Sequence, residues 1–164
     1  MEDKLVFTGT YEHSIDAKNR LAIPAPIRAQ IQRAAGAGEG DAIGLFIIPG
    51  ETGPDGGSLN IYTEADFEKR ANELDQSELD AEELLEYERI LFSMAARVEI
   101  DKQGRVRLPD SLIALASLNS DVVLLGVKDH LEIRDRLAWN NHIKQQLSKN
   151  SALLMNPRRM MRRK

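Results

Sequence analysis

Apolar and polar residues alternate over short stretches of the chain, which is the pattern of half-buried strands. The clearest examples are RLAIP at 20–24 and RVRLP at 105–109, and each of them ends at a proline. Proline ends a strand ladder but suits the first turn of a helix. The pattern therefore predicts two strands, each followed by a short helix, at about 25–35 and 110–118.

Both segments belong to an internal repeat. Residues 16–28 read DAKNRLAIPAPIR, and residues 101–113, 85 positions later, read DKQGRVRLPDSLI. The shared pattern places an arginine four positions after an aspartate and a proline four positions after the arginine. The apolar segments IGLFII at 43–48 and VVLLGV at 122–127 extend the similarity. The chain is therefore predicted to contain two copies of one unit.

Each copy is predicted to be a β-turn-β-α-β-β-α unit of the α+β class. The chain reverses direction between the aspartate and the arginine, where Asn19 and Gly104 tolerate a positive φ. A unit of roughly 60 residues buries little surface on its own. We therefore expect the two copies to exchange strands and share a barrel, which would cover the strand edges.

This repeat divides the chain into four predicted parts. Residues 1–67 and 96–150 form the two units, and residues 68–95 form an acidic helical connector. Residues 151–164 form a basic tail, which we expect either to be disordered or to act as an arm that adds sequence-independent affinity for DNA. The glycine- and proline-rich segment 49–58 predicts an exposed loop.

Charge is distributed unevenly along the chain. Although the net charge is −4, residues 64–89 carry eleven acids and three bases, whereas residues 90–164 carry fourteen bases and seven acids. Local charge rather than the total attracts a polyanion. The composition therefore does not exclude a nucleic-acid partner.

The acidic segment also carries a helical pattern from about Asn72 onwards. Ser77 followed by Asp80 is a signal for a helix N-terminus. Its acidic face is interpreted as a solvated surface, or as one that either keeps DNA to the opposite side of the protein or meets a basic neighbour in a ring. The apolar residues Leu84, Leu85, Ile90, Leu91 and Met94 lie near a stripe of helical period.

Several classes of site are not expected. The absence of cysteine excludes a disulfide scaffold, a zinc ribbon and a thiol nucleophile. No histidine pair has metal-ligand spacing, and no nucleophile is matched with a base, so we predict no enzyme, no catalytic residue, no metal site and no cofactor. Neither a membrane-spanning run nor a secretory signal is visible, so the protein is expected in the cytoplasm.

The bases concentrate around the two turns. A single Asp–Arg pair of this spacing is usually an exposed ion pair worth about 0–1 kcal/mol. Two copies surrounded by further bases favour a tip that contacts DNA, because arginine can bond bidentately to guanine and lysine can contact phosphate. The candidate residues are Asp16, Lys18, Arg20 and Arg28 around the first turn, and Asp101, Lys102, Arg105 and Arg107 around the second.

These motifs resemble the MraZ family. The similarity includes GTYEHSIDAKNRLAIPAPIR at 9–28, VEIDKQGRVRLP at 98–109 and LLGVKDHLEIRDRLAWN at 124–140. The resemblance implies a bacterial transcriptional regulator with a double swapped-hairpin barrel of the AbrB type, assembled into a homo-oligomeric ring. It further implies binding to direct repeats of double-stranded DNA in the promoter of the cell-division and cell-wall gene cluster, and thus a place at the nucleoid.

The family's DNA-reading motif carries over onto Asp16, Lys18 and Arg20, and in the second copy onto Asp101 and Arg105. The first copy matches more fully, so we favour it as the turn that reads bases. Two alternatives stay open: an oligomeric interaction module that does not read sequence, and an antitoxin-like barrel.

Overall fold

The computed structural model of the chain describes residues 5–53 and 56–149 and has a mixed α+β architecture, as predicted. Within these residues, eight strands form a six-stranded antiparallel sheet and a two-stranded antiparallel ribbon. In the same two ranges, five α-helices and one short 3₁₀ helix accompany the strands. The predicted basic tail at 151–164 lies outside the described residues.

The elements have the following bounds. The strands are β1 (Thr10–Ser14), β2 (Arg20–Ala22), β3 (Gly44–Pro49), β4 (Ser58–Thr63), β5 (Ala96–Glu99), β6 (Arg105–Arg107), β7 (Asp121–Val127) and β8 (His130–Asp135). The helices are α1 (Ala25–Ala34), α2 (Glu64–Glu73), the 3₁₀ helix Leu74–Gln76, α3 (Ala81–Met94), α4 (Asp110–Leu115) and α5 (Arg136–Lys149).

Strands from the two halves of the chain pair with each other. The order in the large sheet is β1-β7-β8-β4-β3-β5, so β1 of the first half pairs with β7 of the second, and β5 of the second half pairs with β3 of the first. The small ribbon consists of β2 and β6, one from each half. Each half therefore supplies strands that the other half needs for its hydrogen bonds.

The helices begin where local chemistry favours a start. Pro24 and Pro109 immediately precede α1 and α4, as the sequence pattern predicts. The connector differs from its prediction, because α3 begins after Asp80, whose carboxylate accepts a hydrogen bond from Glu83 N at 2.8 Å. Ser77 instead follows the 3₁₀ helix, so the expected single helix is divided. Asp80 is a strong N-cap, because its carboxylate accepts a hydrogen bond from a backbone N–H of the first turn of the helix.

The main core lies between the large sheet on one side and the ribbon with α1 and α4 on the other. Leu21 of β2, Val106 of β6 and Leu124 of β7 belong to one buried cluster. A smaller cluster around Tyr62 and Phe67 packs α2 against the opposite face of the sheet. Since side chains alternate along a strand, the neighbours of Leu21 and Val106 lie on the outer face of the ribbon.

Replacing Leu21 with alanine is expected to test how far the fold depends on the ribbon. Leu21 is 0% exposed and lies directly opposite Val106. The truncation should lower the free energy of unfolding by about 2–5 kcal/mol, because it leaves a cavity between the two halves. Urea unfolding monitored by circular dichroism measures this change.

The matched control is Leu21→Met, which nearly preserves the volume and should cost less than about 1.5 kcal/mol. Equal stabilities of Leu21→Ala and the unmodified chain would contradict the importance of this contact.

Candidate nucleic-acid interface

The carboxylate of Asp16 closes the first turn. Its Oδ1 accepts hydrogen bonds from the backbone N–H groups of Lys18 at 2.9 Å and Arg20 at 2.8 Å, and its Oδ2 accepts one from Arg20 Nε at 2.7 Å. Asn19 has a φ of 63° and donates its backbone N–H to the Asp16 carbonyl at 3.0 Å. One side chain therefore fixes both the backbone of the turn and the direction of the Arg20 guanidinium.

The second turn has the same construction. Asp101 Oδ1 accepts from the backbone N–H groups of Gln103 and Arg105, each at 2.9 Å, and Asp101 Oδ2 accepts from Arg105 Nε at 3.1 Å. Gly104 occupies the left-handed position with a φ of 80°. The repeat in the sequence is thus also a repeat of hydrogen bonds.

These hydrogen bonds lower the pKa of both aspartates. The largest cause at Asp16 is the hydrogen bond from the Arg20 backbone, and at Asp101 it is the hydrogen bond from the Arg105 backbone. The positive charge of the paired arginine acts in the same direction. Both carboxylates therefore stay ionised at neutral pH and hold their arginines.

The ribbon places three guanidinium groups on one outer face. In its register Arg20 lies opposite Arg107, Leu21 opposite Val106 and Ala22 opposite Arg105. Leu21 and Val106 are buried, so the arginines lie on the other side. Like charges directly opposite each other destabilise a strand pair. This face therefore favours contact with an anionic partner.

Backbone hydrogen bonds join the ribbon to both turns. Ile23 N donates to Gly104 O at 2.9 Å, and Leu108 N donates to Asn19 O at 2.8 Å. Because the two strands are antiparallel, the turns lie at opposite ends of the ribbon. We call β2, β6 and the turns 16–19 and 101–104 the basic ribbon.

The remaining predicted bases lie around the basic ribbon. Lys18 and Lys102 are exposed within the turns. Arg28 of α1 donates from Nε to Ile23 O at 2.9 Å and lies against Gly104, where an added Cβ would come within 2.7 Å of the guanidinium carbon. All eight predicted site residues thus lie on the basic ribbon or at its border. Two of them lie beside the other turn than the one predicted: Arg28 lies against Gly104 of the second turn, and Arg107 lies opposite Arg20 beside the first. The reason is the antiparallel pairing of β2 with β6, which brings the end of each strand to the turn that precedes the other.

One contact of the first turn was not predicted from the sequence. The Asp110 carboxylate, at the start of α4, accepts a hydrogen bond from Asn19 Nδ2. These residues are 91 positions apart. The only signal for this contact in the sequence is a difference between the two copies. Asn19 of the first copy corresponds to Gly104 in the second, and Asp110 of the second copy corresponds to Ala25 in the first.

A second polar cluster lies away from the basic ribbon, on the opposite face of the sheet. His130 Nδ1 is 2.9 Å from Asp129 Oδ1 and its Nε2 is 2.8 Å from Glu132 Oε2, and the hydrogen bond with Glu132 is the largest cause of its raised pKa. Arg70 of α2 bonds to Asp129 at 2.6 Å and stacks over Tyr62. These contacts attach α2 to the sheet beside a cavity of about 550 Å³.

The described residues contain no group of three or more His, Asp or Glu side chains that could hold a metal ion. In the same part of the chain, every helix is too short or too polar to cross a membrane.

Comparison with known proteins places these observations in a family. Transcriptional regulator MraZ of Mycoplasmoides gallisepticum is 34% identical over 134 residues, which cover 82% of this chain and 84% of that protein. The chain belongs to the MraZ family. The resemblance inferred from the two turn motifs is thereby confirmed.

Other MraZ proteins agree with this assignment. Transcriptional regulator MraZ of Clostridium botulinum is 34% identical over 137 residues, covering 84% of this chain and 87% of the relative. The protein of the same name from Mesoplasma florum is 31% identical over 138 residues, covering 84% and 86%. A family profile described as "MraZ protein, putative antitoxin-like" matches residues 91–162, which include the second turn.

Replacing Asp16 with asparagine should reduce thermal stability at neutral pH, because asparagine is a weaker acceptor and lacks the charge that pairs with Arg20. The pKa of Asp16 is lower in the folded state than in the unfolded state. The ionised carboxylate therefore contributes its full share to the free energy of unfolding above about pH 4, and this share is lost as the pH falls through the folded-state pKa. The difference in melting temperature between Asp16→Asn and the unmodified chain should therefore shrink below about pH 4. Melting curves between neutral and acidic pH measure it.

The matched control is Glu39→Gln, which removes a carboxylate charge from an exposed residue outside the turns. It should leave the melting temperature nearly unchanged at every pH. A pH-independent difference for Asp16→Asn would contradict the role assigned to the ionised carboxylate.

Proposed function

We propose that the chain is a sequence-specific DNA-binding transcriptional regulator whose basic ribbon contacts double-stranded DNA. The observation that carries this proposal is the outer face of the ribbon, where Arg20 lies opposite Arg107 and Arg105 follows on the same side. The names of its relatives support a regulatory role, since they are called transcriptional regulator MraZ.

The shape of the ribbon fits this role. A two-stranded β-ribbon can enter the major groove of B-DNA, which is about 12 Å wide. Arg20, whose direction is fixed by Asp16, then bonds to a guanine edge, while Lys18, Lys102 and Arg28 contact phosphates. Asp16 and Asp101 act by holding the turns and orienting Arg20 and Arg105.

We assign base reading to the first turn, beside which Arg107 lies opposite Arg20, and the supporting contacts to the second turn. The proposed targets are short direct repeats upstream of the cell-division and cell-wall gene cluster, an assignment that rests on the family resemblance. Such a regulator acts in the cytoplasm, at the nucleoid.

We propose that the exchanged strands form a double swapped-hairpin barrel with the units 1–67 and 96–150, the connector 68–95 and the basic tail 151–164. The pairing of β1 with β7 and of β5 with β3 supports this arrangement. We also propose that chains assemble into a homo-oligomeric ring. Exposed apolar side chains on α3 and α5, such as Leu85, Ile90 and Leu137, support an interface between copies.

The alternative is an interaction module or antitoxin-like barrel that does not regulate through DNA sequence. The words "antitoxin-like" in the family description favour it. The two functions differ in one measurement: a regulator binds its own upstream DNA more tightly than a scrambled duplex at the same salt concentration, whereas an interaction module binds both alike or neither.

Arg20→Ala is expected to weaken binding to the upstream DNA while leaving the protein folded. Loss of a bidentate guanine contact costs about 1–3 kcal/mol, which corresponds to roughly a five- to 150-fold increase in Kd. Fluorescence anisotropy with promoter and scrambled duplexes measures the effect, and circular dichroism checks folding. The control is Arg89→Ala, which removes an exposed arginine that is paired with Glu86 on α3.

Two outcomes would contradict these assignments. Equal affinity of the unmodified chain for both duplexes would refute sequence-specific regulation. Unchanged promoter affinity of folded Arg20→Ala would refute the assigned contact.

Lys18→Ala is expected to weaken binding to every duplex by a similar factor, because a phosphate contact carries no sequence information. The slope of log K against log salt should become shallower by about 0.9, because the variant neutralises one phosphate fewer. Titrations at several salt concentrations measure the slope. The control is Lys69→Ala, which removes an exposed lysine on α2 and should leave the slope unaltered. An effect of Lys18→Ala on the promoter duplex alone would instead indicate that Lys18 binds a base.

A further inference from the structure

The two turns are braced in different ways by the opposite half of the chain. In the first turn, Asn19 has a positive φ and donates from its side chain to Asp110, at the start of α4. In the second turn, Gly104 takes the same position, and the residue that corresponds to Asp110 is Ala25. A carboxylate brace is thus present where the turn residue has a side chain and absent where it is glycine.

This difference has a conformational explanation. The left-handed region costs glycine little, whereas asparagine enters it against a steric preference. A hydrogen bond from its side-chain amide to the Asp110 carboxylate holds Asn19 in that conformation. Leu108 N donates to Asn19 O at 2.8 Å, so the same residue is held through its backbone as well.

Electrostatics argues against a direct role of Asp110 in attracting DNA. Its negative charge lies beside the first turn, in contact with Asn19, and it opposes the approach of phosphates. The second turn has Arg28 beside it instead, and this guanidinium adds to the attraction. The Asp110 carboxylate therefore helps to orient the first turn, although it lowers the affinity of that turn for DNA.

We infer that Asp110 is a positioning residue of the first turn, which fixes Asn19 so that Lys18 and Arg20 keep one orientation towards the bases. The inference rests on the proposed function, since it explains how that function reaches sequence discrimination. It also separates the roles of the two turns: the first is held rigidly for selectivity, and the second, with Arg28, contributes attraction common to all sequences.

The test is a cycle of full-length variants: Asp110→Ala, Asn19→Gly and the combination of both. For each, the Kd for the upstream duplex and for a scrambled duplex is measured at matched salt and at a temperature where the protein is folded. Asp110→Ala should reduce the ratio of the two affinities by about tenfold, which is the discrimination that one arginine–guanine pair provides. The affinity for the scrambled duplex should stay the same or rise, because a negative charge is removed.

Rescue distinguishes positioning from other roles. Asn19→Gly in the Asp110→Ala background should restore most of the affinity ratio, because glycine holds the positive φ without a brace. Asp75→Ala, which removes an exposed carboxylate from the connector, should leave the ratio unchanged. Arg28→Ala should weaken both duplexes alike and leave their ratio intact.

The outcomes separate this inference from the proposed function. If the unmodified chain discriminates between the duplexes and Asp110→Ala discriminates equally well, the inference is wrong while the proposed function stands. A lowered ratio that Asn19→Gly fails to restore also overturns it, because Asp110 would then act other than through the turn. If the unmodified chain does not discriminate, the proposed function itself fails.

Discussion

The strands β2 and β6 have only each other as ladder partners in the part of the chain that the structure describes. Each has three residues, too few to form a stable strand without a partner. Their pairing sets Leu21 against Val106 at the centre of the shared core. The position of every arginine on the outer face follows from this one register, because a shift by a single residue would turn those side chains inward.

The turn aspartates extend this order to the outer face of the ribbon, which we propose binds DNA. A guanidinium on a flexible side chain loses much conformational entropy when it binds a fixed target. Asp16 and Asp101 reduce that loss in advance by holding Arg20 and Arg105 through Nε. An arginine that is bound edge-on by a carboxylate can still direct its remaining N–H groups outward, because the guanidinium has five donors. The aspartates of the motif thus orient its arginines.

Much of this arrangement was predictable from sequence, because it depends on local chemistry. The spacing of aspartate and arginine, the turn residues Asn19 and Gly104 and the prolines that precede α1 and α4 all act within a few positions. The division of the connector was not predicted, since Ser77 and Asp80 are both good cap residues and only the structure decides between them. The contact between Asn19 and Asp110 depends on the packing of one half against the other, which no local pattern records.

The pairing of strands from the two halves also bears on how the chain is made. Strand β1 comprises residues 10–14, but its partner β7 comprises residues 121–127. During synthesis, β1 therefore cannot form its hydrogen bonds with β7 until most of the polypeptide has left the ribosome. Contacts between residues so distant in sequence slow folding and prolong the exposure of unpaired edges. Production of this protein in cells consequently depends on its nascent first half staying free of aggregation until the second half emerges.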